Sequence, residues 1–544
     1  MARTGMNAGM KDRSTMASFM KGASLLLMAG FIVKLLSVAY RVPFQNLAGD
    51  RGFYVYQQIY PFVGVFTAWT SYGFSVAVSK MLADSREEEE GAILRIAFGC
   101  ISGFAIIVFG LLFFGSPLLA DWMGDSELAP LLKISALAVL LMPVLAVLKG
   151  FSQADQDMGP VASAQVFEQT VRVFVILIGT WIVVSYGFSI YAAGAAALWG
   201  TIAGELAGVT LLVLYTARTG WGFTVRSKVA LWPTVRKMTA LSVSLSFSSL
   251  LLLLFQLADS FTVFRLLEES GLPRLEAMER KGVYDRAQPL VQFGLLLASS
   301  LALSIVPLVA RMDRKPGGRP PEHYVRLSFR AALLIAAATT AGLILTMPYV
   351  NEMLFKTTEG SATLAVFSIQ VMWVSLLLVW MAILQGAGKE KVPALLLLAG
   401  LILKWTGNVV LVPALGIMGA ALAGNIALII STASLYYYFK RTWPIRFAPF
   451  AYYRKMAAAL VSMAVCVLSW ILLADSLLFN SLPDRLSAAC TALTAAAVGA
   501  AVFLAAAAKM RILSEKEWYV IPFGRKMAKF QLWMNKNKRK GELR

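Results

Sequence analysis

The sequence is short of the residues that soluble chemistry normally uses. It holds one histidine and three cysteines in 544 residues. His323 lies in the Pro/Gly-rich stretch "RKPGGRPPEH" and reads as a solvated loop residue. Cys100, Cys466 and Cys490 each fall in an apolar run with no paired spacing. They read as buried apolar side chains, not as a disulfide or a metal set. Zinc sites, His-based triads and a GxxxxGK[ST] phosphate loop are absent, which argues against ATP-driven work by this chain alone. No metal or cofactor is implied. Charge is scarce too: Asp, Glu, Lys and Arg make up 15% of the chain, against about 25% in a typical soluble protein.

What the chain has in quantity is apolar side chains, 58% of the total. They fall into long runs, such as Met16 to Leu36, Ile96 to Leu119, Phe174 to Leu214, Ala331 to Met347 and Met456 to Ala474. Roughly 17 or more apolar residues are needed to cross a hydrocarbon core as a helix. Barrel strands alternate in short segments, and these runs do not. The expectation is an all-α polytopic membrane protein with about 14 transmembrane helices. The spans are placed at 16–41, 53–82, 92–119, 130–152, 160–186, 188–216, 234–264, 286–310, 326–350, 361–386, 392–413, 417–440, 454–478 and 485–509. The long run 160–216 is divided at Tyr186-Gly187, a turn signal.

The connections alternate in charge. One set carries Arg218, Arg226, Lys228, Arg236 and Lys237, then Arg311, Arg314, Lys315 and Arg319, then Lys389 and Lys391, then Lys440, Arg441 and Arg446. The other set carries Asp121, Asp125 and Glu127, Glu352 and Glu359, and Asp475 and Asp484. The positive-inside rule assigns the first set, with both termini, to the cytoplasm. "SREEEE" at Ser85 to Glu90 is read as an acidic cytoplasmic loop. The net charge of +20 is then topology and contact with anionic membrane lipids, and no nucleic-acid partner is implied. The tail "RKMAKFQLWMNKNKRK" mixes basic and aromatic residues, as a segment lying on a membrane surface does.

The chain repeats itself. "LKGFSQADQDMGPVASAQVFEQTVRV" from Leu148 and "LQGAGKEKVPALLLLAGLILKWTGNVV" from Leu384 share a Leu-x-Gly helix end, a polar turn and a proline opening the next helix. Each leads to a small-residue span, "AAGAAALWGTIAGELAG" or "GIMGAALAGNIA", suited to close helix packing. Spans 4–6 therefore match spans 10–12. The expected organisation is a cytoplasmic N-terminus (1–15), an N-lobe (16–216), a linker (217–233), a C-lobe (234–440), two added helices (441–510) and a basic cytoplasmic tail (511–544). Two pseudo-symmetric six-helix lobes of this kind place a binding site between repeats.

Polar residues inside the spans mark that site. By helical rise, Arg172 lies ~18 Å past Pro160, Lys404 ~17 Å past Pro393 and Lys34 ~20 Å past Lys21, all near mid-membrane. An ionised side chain there costs about 2.5–3.5 kcal/mol on insertion scales, so it faces protein or water. Arg41 follows Lys34 by two turns, which predicts a shared face. Arg41, Asp259 and Arg286 fall near the outer ends of spans 1, 7 and 8. Glu168 precedes Arg172 at i, i+4 in the favourable order, so mutual neutralisation competes with ligand binding. Gln57, Gln288 and Asn408 supply amides for a sugar, and Tyr54, Tyr56, Tyr60 and Trp69 supply rings. Together these suggest a basic cavity for a phosphorylated, sugar-bearing ligand.

Several stretches carry a family resemblance: "LSVAYRVPFQNLAGDRGFYVYQQIYP", "TSYGFSVAVSKMLAD", "VFEQTVRV", "FQLADSFTVFRLL" and "YDRAQPLVQFGLLLASSLALSIVPLVA". In order over residues 16–445, the chain resembles the polysaccharide-exporter branch of the MOP superfamily, in particular its stage V sporulation protein B-like group, related to lipid II flippases. The resemblance implies two six-helix lobes around a cavity and export or flipping of an undecaprenyl-pyrophosphate-linked saccharide. It implies a bacterial plasma membrane. Lys34 and Arg286 match the basic positions on helices 1 and 8 of the flippase branch, while span 2 offers Gln57 and Gln58 in place of a cation. H⁺ or Na⁺ coupling through Glu168, Glu205 or Asp259 stays open beside direct use of the membrane potential. The alternatives are a cation-coupled drug exporter of the same superfamily, a membrane enzyme, and a non-transporting envelope or spore assembly protein.

Overall fold

Apolar runs broken only by short polar turns leave the backbone one way to satisfy itself in lipid, the helix. The computed structural model describes residues 25–535 apart from 27, 156, 219–228, 297–321, 388, 390, 444, 480 and 520–523. Among the described residues there is helix and turn, and no strand. Twelve helices among the described residues are long and apolar enough to cross a membrane. The first, α1 (Met28–Ala83), runs 56 residues and takes in two of the expected spans. Inside it Gly49 sits at φ 70° and ψ −179°, a conformation essentially reserved for glycine, and the helix kinks there. A π-turn at Trp69–Phe74 follows. The expected span 286–310 is helical at 287–296, and residues 297–310 lie outside the described residues, as do the N-terminus 1–15 and the basic loop 311–319.

The other elements follow in order: α2 (Glu87–Trp122), α3 (Ser126–Ala154), α4 (Met158–Ser185), α5 (Ile190–Arg218), α6 (Leu231–Glu269) and α7 (Arg274–Asp285). Then come α8 (Glu322–Phe355), α9 (Ser361–Gly386), α10 (Lys391–Leu415), α11 (Ile417–Thr442), α12 (Phe450–Leu473), α13 (Asp484–Lys509), α14 (Glu515–Trp518) and α15 (Gly524–Met534). The division at Tyr186-Gly187 holds: α4 ends at Ser185, Gly187 takes φ 69°, and α5 starts at Ile190. The acidic stretch is not a loop. Glu87 to Glu90 form the first turn of α2, where the positive end of the helix dipole favours carboxylates. His323, expected in a loop, is exposed in the first turn of α8.

By packing, the chain divides into two compact units. One comprises Met1–Glu268 with Leu272–Gly282, the other Glu269–Gly271 with Val283–Arg544. In the first unit, Phe74, Val78, Ile93, Ile101 and Met142 join α1, α2 and α3 in one apolar cluster. A second cluster sets Tyr40, Phe44, Phe53 and Tyr56 of the α1 stretch against Ile176 and Ala197 of α4 and α5. Large apolar side chains on the far face of α2, including Ile106, Ile107, Leu111 and Phe114, stay exposed. Such a face suits lipid. In the second unit α8 carries both added helices: Gly342 meets Met463 of α12, and α13 packs on α12 through Gly499 and a 2.9 Å hydrogen bond from Trp470 Nε1 to Thr494 Oγ1.

The repeat shows as packing inside each unit. A β-carbon added to Gly200 would sit 2.6 Å from Ile176, so the small-residue helix α5 lies directly on α4. In the second unit a β-carbon added to Gly407 would sit 3.0 Å from Ala423, and one at Gly419 would sit 2.1 Å from the Leu411 carbonyl. The small-residue helix α11 thus lies on α10 in the same way.

Candidate functional site

Two groups of buried polar side chains stand out in the first unit. The first is built where α3, α4 and α5 meet. Gly204 and Gly208 of α5 leave no room for side chains: β-carbons there would lie 2.7 Å from the Glu168 carbonyl oxygen and 3.2 Å from its carboxylate. That close approach brings Glu205 beside α4. Glu168 Oε1 accepts from Arg172 Nη2 at 3.0 Å, and its Oε2 accepts from Lys149 Nζ at 3.2 Å. Glu205 Oε1 stands 3.7 Å from the same guanidinium nitrogen and accepts from the Thr67 hydroxyl at 3.1 Å. Lys149, Glu168 and Glu205 are 2%, 6% and 5% exposed. Two cations and two carboxylates therefore close a network that is buried except for part of Arg172. In such a setting the pairs must hydrogen-bond well to offset desolvation. A narrow cavity beside them is lined by Thr67, Thr70, Ser71 and Ser135.

The second group surrounds Arg41, which is 0% exposed. Its guanidinium carbon lies 4.3 Å from the centroid of the Tyr60 ring. The hydroxyls of Tyr40 and Tyr56 hydrogen-bond each other beside it. Among the described residues, none of the three guanidinium nitrogens has a hydrogen-bond partner of normal geometry. Nearby on α1, Gln57 is buried and its carbonyl oxygen is likewise unpartnered, while Gln58 Nε2 donates to the Ser260 carbonyl at 3.1 Å. Asp259, on the same helix as Ser260, is buried at 3% exposure.

At the ends of α3, α5 and α7 one further carboxylate is buried against a partly exposed arginine. Asp125 is 0% exposed and accepts from Arg274 Nη2 at 2.6 Å, Tyr191 at 2.9 Å and Tyr54 at 3.0 Å. Arg51 pairs with Glu279 at 3.0 Å. Both contacts hold α7 onto the first unit.

In the second unit Lys404 of α10 is 1% exposed. Its Nζ donates to the Ala420 carbonyl at 2.8 Å and to the Tyr284 hydroxyl at 3.3 Å. Gly424 makes the approach possible, since a β-carbon there would lie 2.5 Å from Gln370 Nε2 and 3.4 Å from Lys404 Nζ. Asn408, one turn on, is 0% exposed. Arg286 is 1% exposed, donates to Asn351 Oδ1 at 3.4 Å and lies over Phe355. Gln288 is buried at 5% exposure.

Of the residues expected at the site, the structure brings Glu168 and Arg172 together. It adds Lys149 to them, which the sequence offers only as a basic residue near a helix end. Lys34 and Arg41 do not share an environment. Lys34 is exposed among exposed Phe31, Ile32 and Leu35, whereas Arg41 is sealed among tyrosines. Both lie on α1, where Tyr40 between them keeps helical dihedrals, so the difference is one of burial and not of a break in the helix.

Twelve apolar helices among the described residues, with buried ion clusters on several of them, define a polytopic helical membrane protein. The chain belongs to the polysaccharide biosynthesis protein family, whose profile matches residues 19–313. The membrane protein YabM of Bacillus subtilis (strain 168) is 36% identical over 94% of this chain and 96% of its own length. The lipid II flippase MurJ of the same organism is 24% identical over 90% of this chain and 94% of its own. Stage V sporulation protein B, again from that organism, is 27% identical over 75% and 80%. Among solved structures, an inward closed lipid II flippase MurJ superposes with a TM-score of 0.66 at 14% identity, covering 88% of this chain and 98% of that one. An inward-facing multidrug resistance MATE transporter of the MOP superfamily gives 0.59 at 12% identity, covering 75% and 94%. The fold is thus like that of both solved transporters.

Proposed function

We propose that the chain is a carrier, not an enzyme, that flips or exports a polyprenyl-pyrophosphate-linked saccharide by alternating access. The observation that carries this reading is Arg41, fully buried among Tyr40, Tyr56 and Tyr60 with no carboxylate partner among the described residues. A buried cation without a counter-charge costs several kcal/mol. Proteins keep such strain where it serves a ligand. Guanidinium engages phosphate oxygens through paired hydrogen bonds, and the surrounding Tyr40, Tyr56 and Tyr60 offer hydroxyls and ring faces. Its burial here means that a ligand reaches it only after rearrangement, which alternating access supplies.

The relatives support the same class. One is named a lipid II flippase and the family is named for polysaccharide biosynthesis. The α3–α5 cluster balances two cations against two carboxylates. It lacks the excess of acid that a cation-coupled drug exporter requires, which favours the saccharide reading. We place the protein in a bacterial plasma membrane with both termini cytoplasmic, two six-helix lobes divided at 217–233, and Lys34, Arg286, Gln288, Lys404 and Asn408 among the ligand-facing groups in at least one conformation. The membrane potential drives the anion outward, each charge gaining about 2.3 kcal/mol per 100 mV.

Native mass spectrometry of the detergent-solubilised protein tests the class. Undecaprenyl-pyrophosphate carrying a short saccharide should be retained and undecaprenol should not, and Arg41→Gln should release the former. Equal retention of both lipids would contradict the reading.

A further inference from the structure

Past the membrane helices, the described chain ends in two short helices whose packing fixes how their faces point. α13 closes at Lys509, and Arg511 at φ 50° turns the chain. Ser514 and Glu517 form a capping box that starts α14. Trp518 Nε1 then donates to Gln531 Oε1 of α15 at 2.8 Å, and Gln531 Nε2 donates to the Leu513 carbonyl at 3.1 Å. Asn535 Nδ2 donates to the Ala508 carbonyl at 3.0 Å. This last bond pins the end of α15 to the final turn of a membrane-spanning helix. Glu517 pairs with Arg330 of α8 at 2.9 Å, so the segment is tied to a second helix of its unit.

One face of α15 is thereby used up, with Gly524, Ala528 and Gln531 buried. The other face carries Arg525, Lys526 and Lys529, all exposed, and Trp533, 70% exposed and stacked on Phe530. The helix contains no acidic residue. We propose that this face is a docking surface for an anionic lipid headgroup layer. Position and chemistry agree on that occupant. The hydrogen bond to Ala508 holds α15 at the level where α13 leaves the membrane. Basic side chains near an anionic leaflet are drawn to it, and tryptophan settles at the headgroup boundary. Docking would hold α8 and α13 at a fixed height through the Arg330–Glu517 pair and the bond to Ala508. The proposal is independent of what the carrier moves.

The test is hydrogen–deuterium exchange of the full chain in nanodiscs of phosphatidylcholine, with or without phosphatidylglycerol. Peptides covering 524–534 should exchange about tenfold more slowly in the anionic discs, since each basic residue adds to the attraction. The triple variant Arg525→Gln, Lys526→Gln, Lys529→Gln should erase that difference, with α13 peptides unchanged as the check on folding. The charge-preserving variant Arg525→Lys, Lys526→Arg, Lys529→Arg should retain it. Equal exchange in both discs for the wild type would assign the face to a protein partner or to solvent, and would overturn the proposal. So would a difference that survives loss of the three charges.

Discussion

Lys149 of α3 donates a 3.2 Å hydrogen bond to Glu168 of α4, with both side chains buried. The bond ties two helices together at the point where Glu168 also holds Arg172 and where Glu205 faces the same guanidinium. Glu168 is therefore the hinge of the network: remove it, and two cations share one carboxylate.

Glu168→Gln should lower stability by about 3–5 kcal/mol, as breaking a buried pair from one side does. The paired change Lys149→Met with Glu168→Met should recover part of that loss, because no charge is then left alone at that contact. Thermal melting in detergent reads both. A double variant that melts no higher than Glu168→Gln would mean that the two residues do not stabilise each other.

The approach of α5 to α4 should be equally sensitive. Gly204→Ala places a methyl 2.7 Å from the Glu168 carbonyl oxygen, an overpacking that typically costs about 1–3 kcal/mol. Gly103→Ala is the matched control: its β-carbon meets nothing within 4 Å on the exposed side of α2. It should be neutral or slightly stabilising. If both variants melt alike, the packing of α5 is not what positions Glu205.

Arg41 should behave in the opposite sense to an ordinary core residue. Arg41→Met removes a buried charge that has no carboxylate partner among the described residues. The melting temperature should rise or hold while transport is lost, the trade expected where a strained group serves function. A variant that is both destabilised and inactive would make Arg41 structural.

Asp125 and Arg274 should govern how firmly α7 sits. Asp125→Asn weakens the 2.6 Å contact to Arg274, and amide exchange across 274–285 should quicken on the order of tenfold. The effect is held to that size because Arg274 is partly exposed and screened. Exchange unchanged in that peptide would place the retention of α7 on its other contacts, such as Arg51–Glu279 and Arg274–Glu268.

How much of this was legible beforehand follows the range of each interaction. Glu168–Arg172 could be read because four residues make one helical turn. The break at Tyr186-Gly187 could be read because a glycine at positive φ leaves a mark in sequence. Lys149–Glu168 and Arg274–Asp125 could not: the first looks like a basic residue at a helix end, and the second joins residues 149 positions apart. The stretch Glu87 to Glu90 misled because four carboxylates suggest a loop, although a helix N-terminus suits them as well. The spacing of Lys34 and Arg41 could not give their unequal burial, which depends on what packs against each turn.

The measurement closest to the central claim is flipping in proteoliposomes. Lipid II and a shorter undecaprenyl-pyrophosphate saccharide would be supplied to the wild type and to Arg41→Met, Arg172→Ala and Lys404→Ala, with a potential imposed and then collapsed. The wild type should move at least one of the two lipids, faster with the inside negative, and folded Arg41→Met should move neither. A wild type that moves neither lipid, or an Arg41→Met variant that moves them at the wild-type rate, would contradict the account.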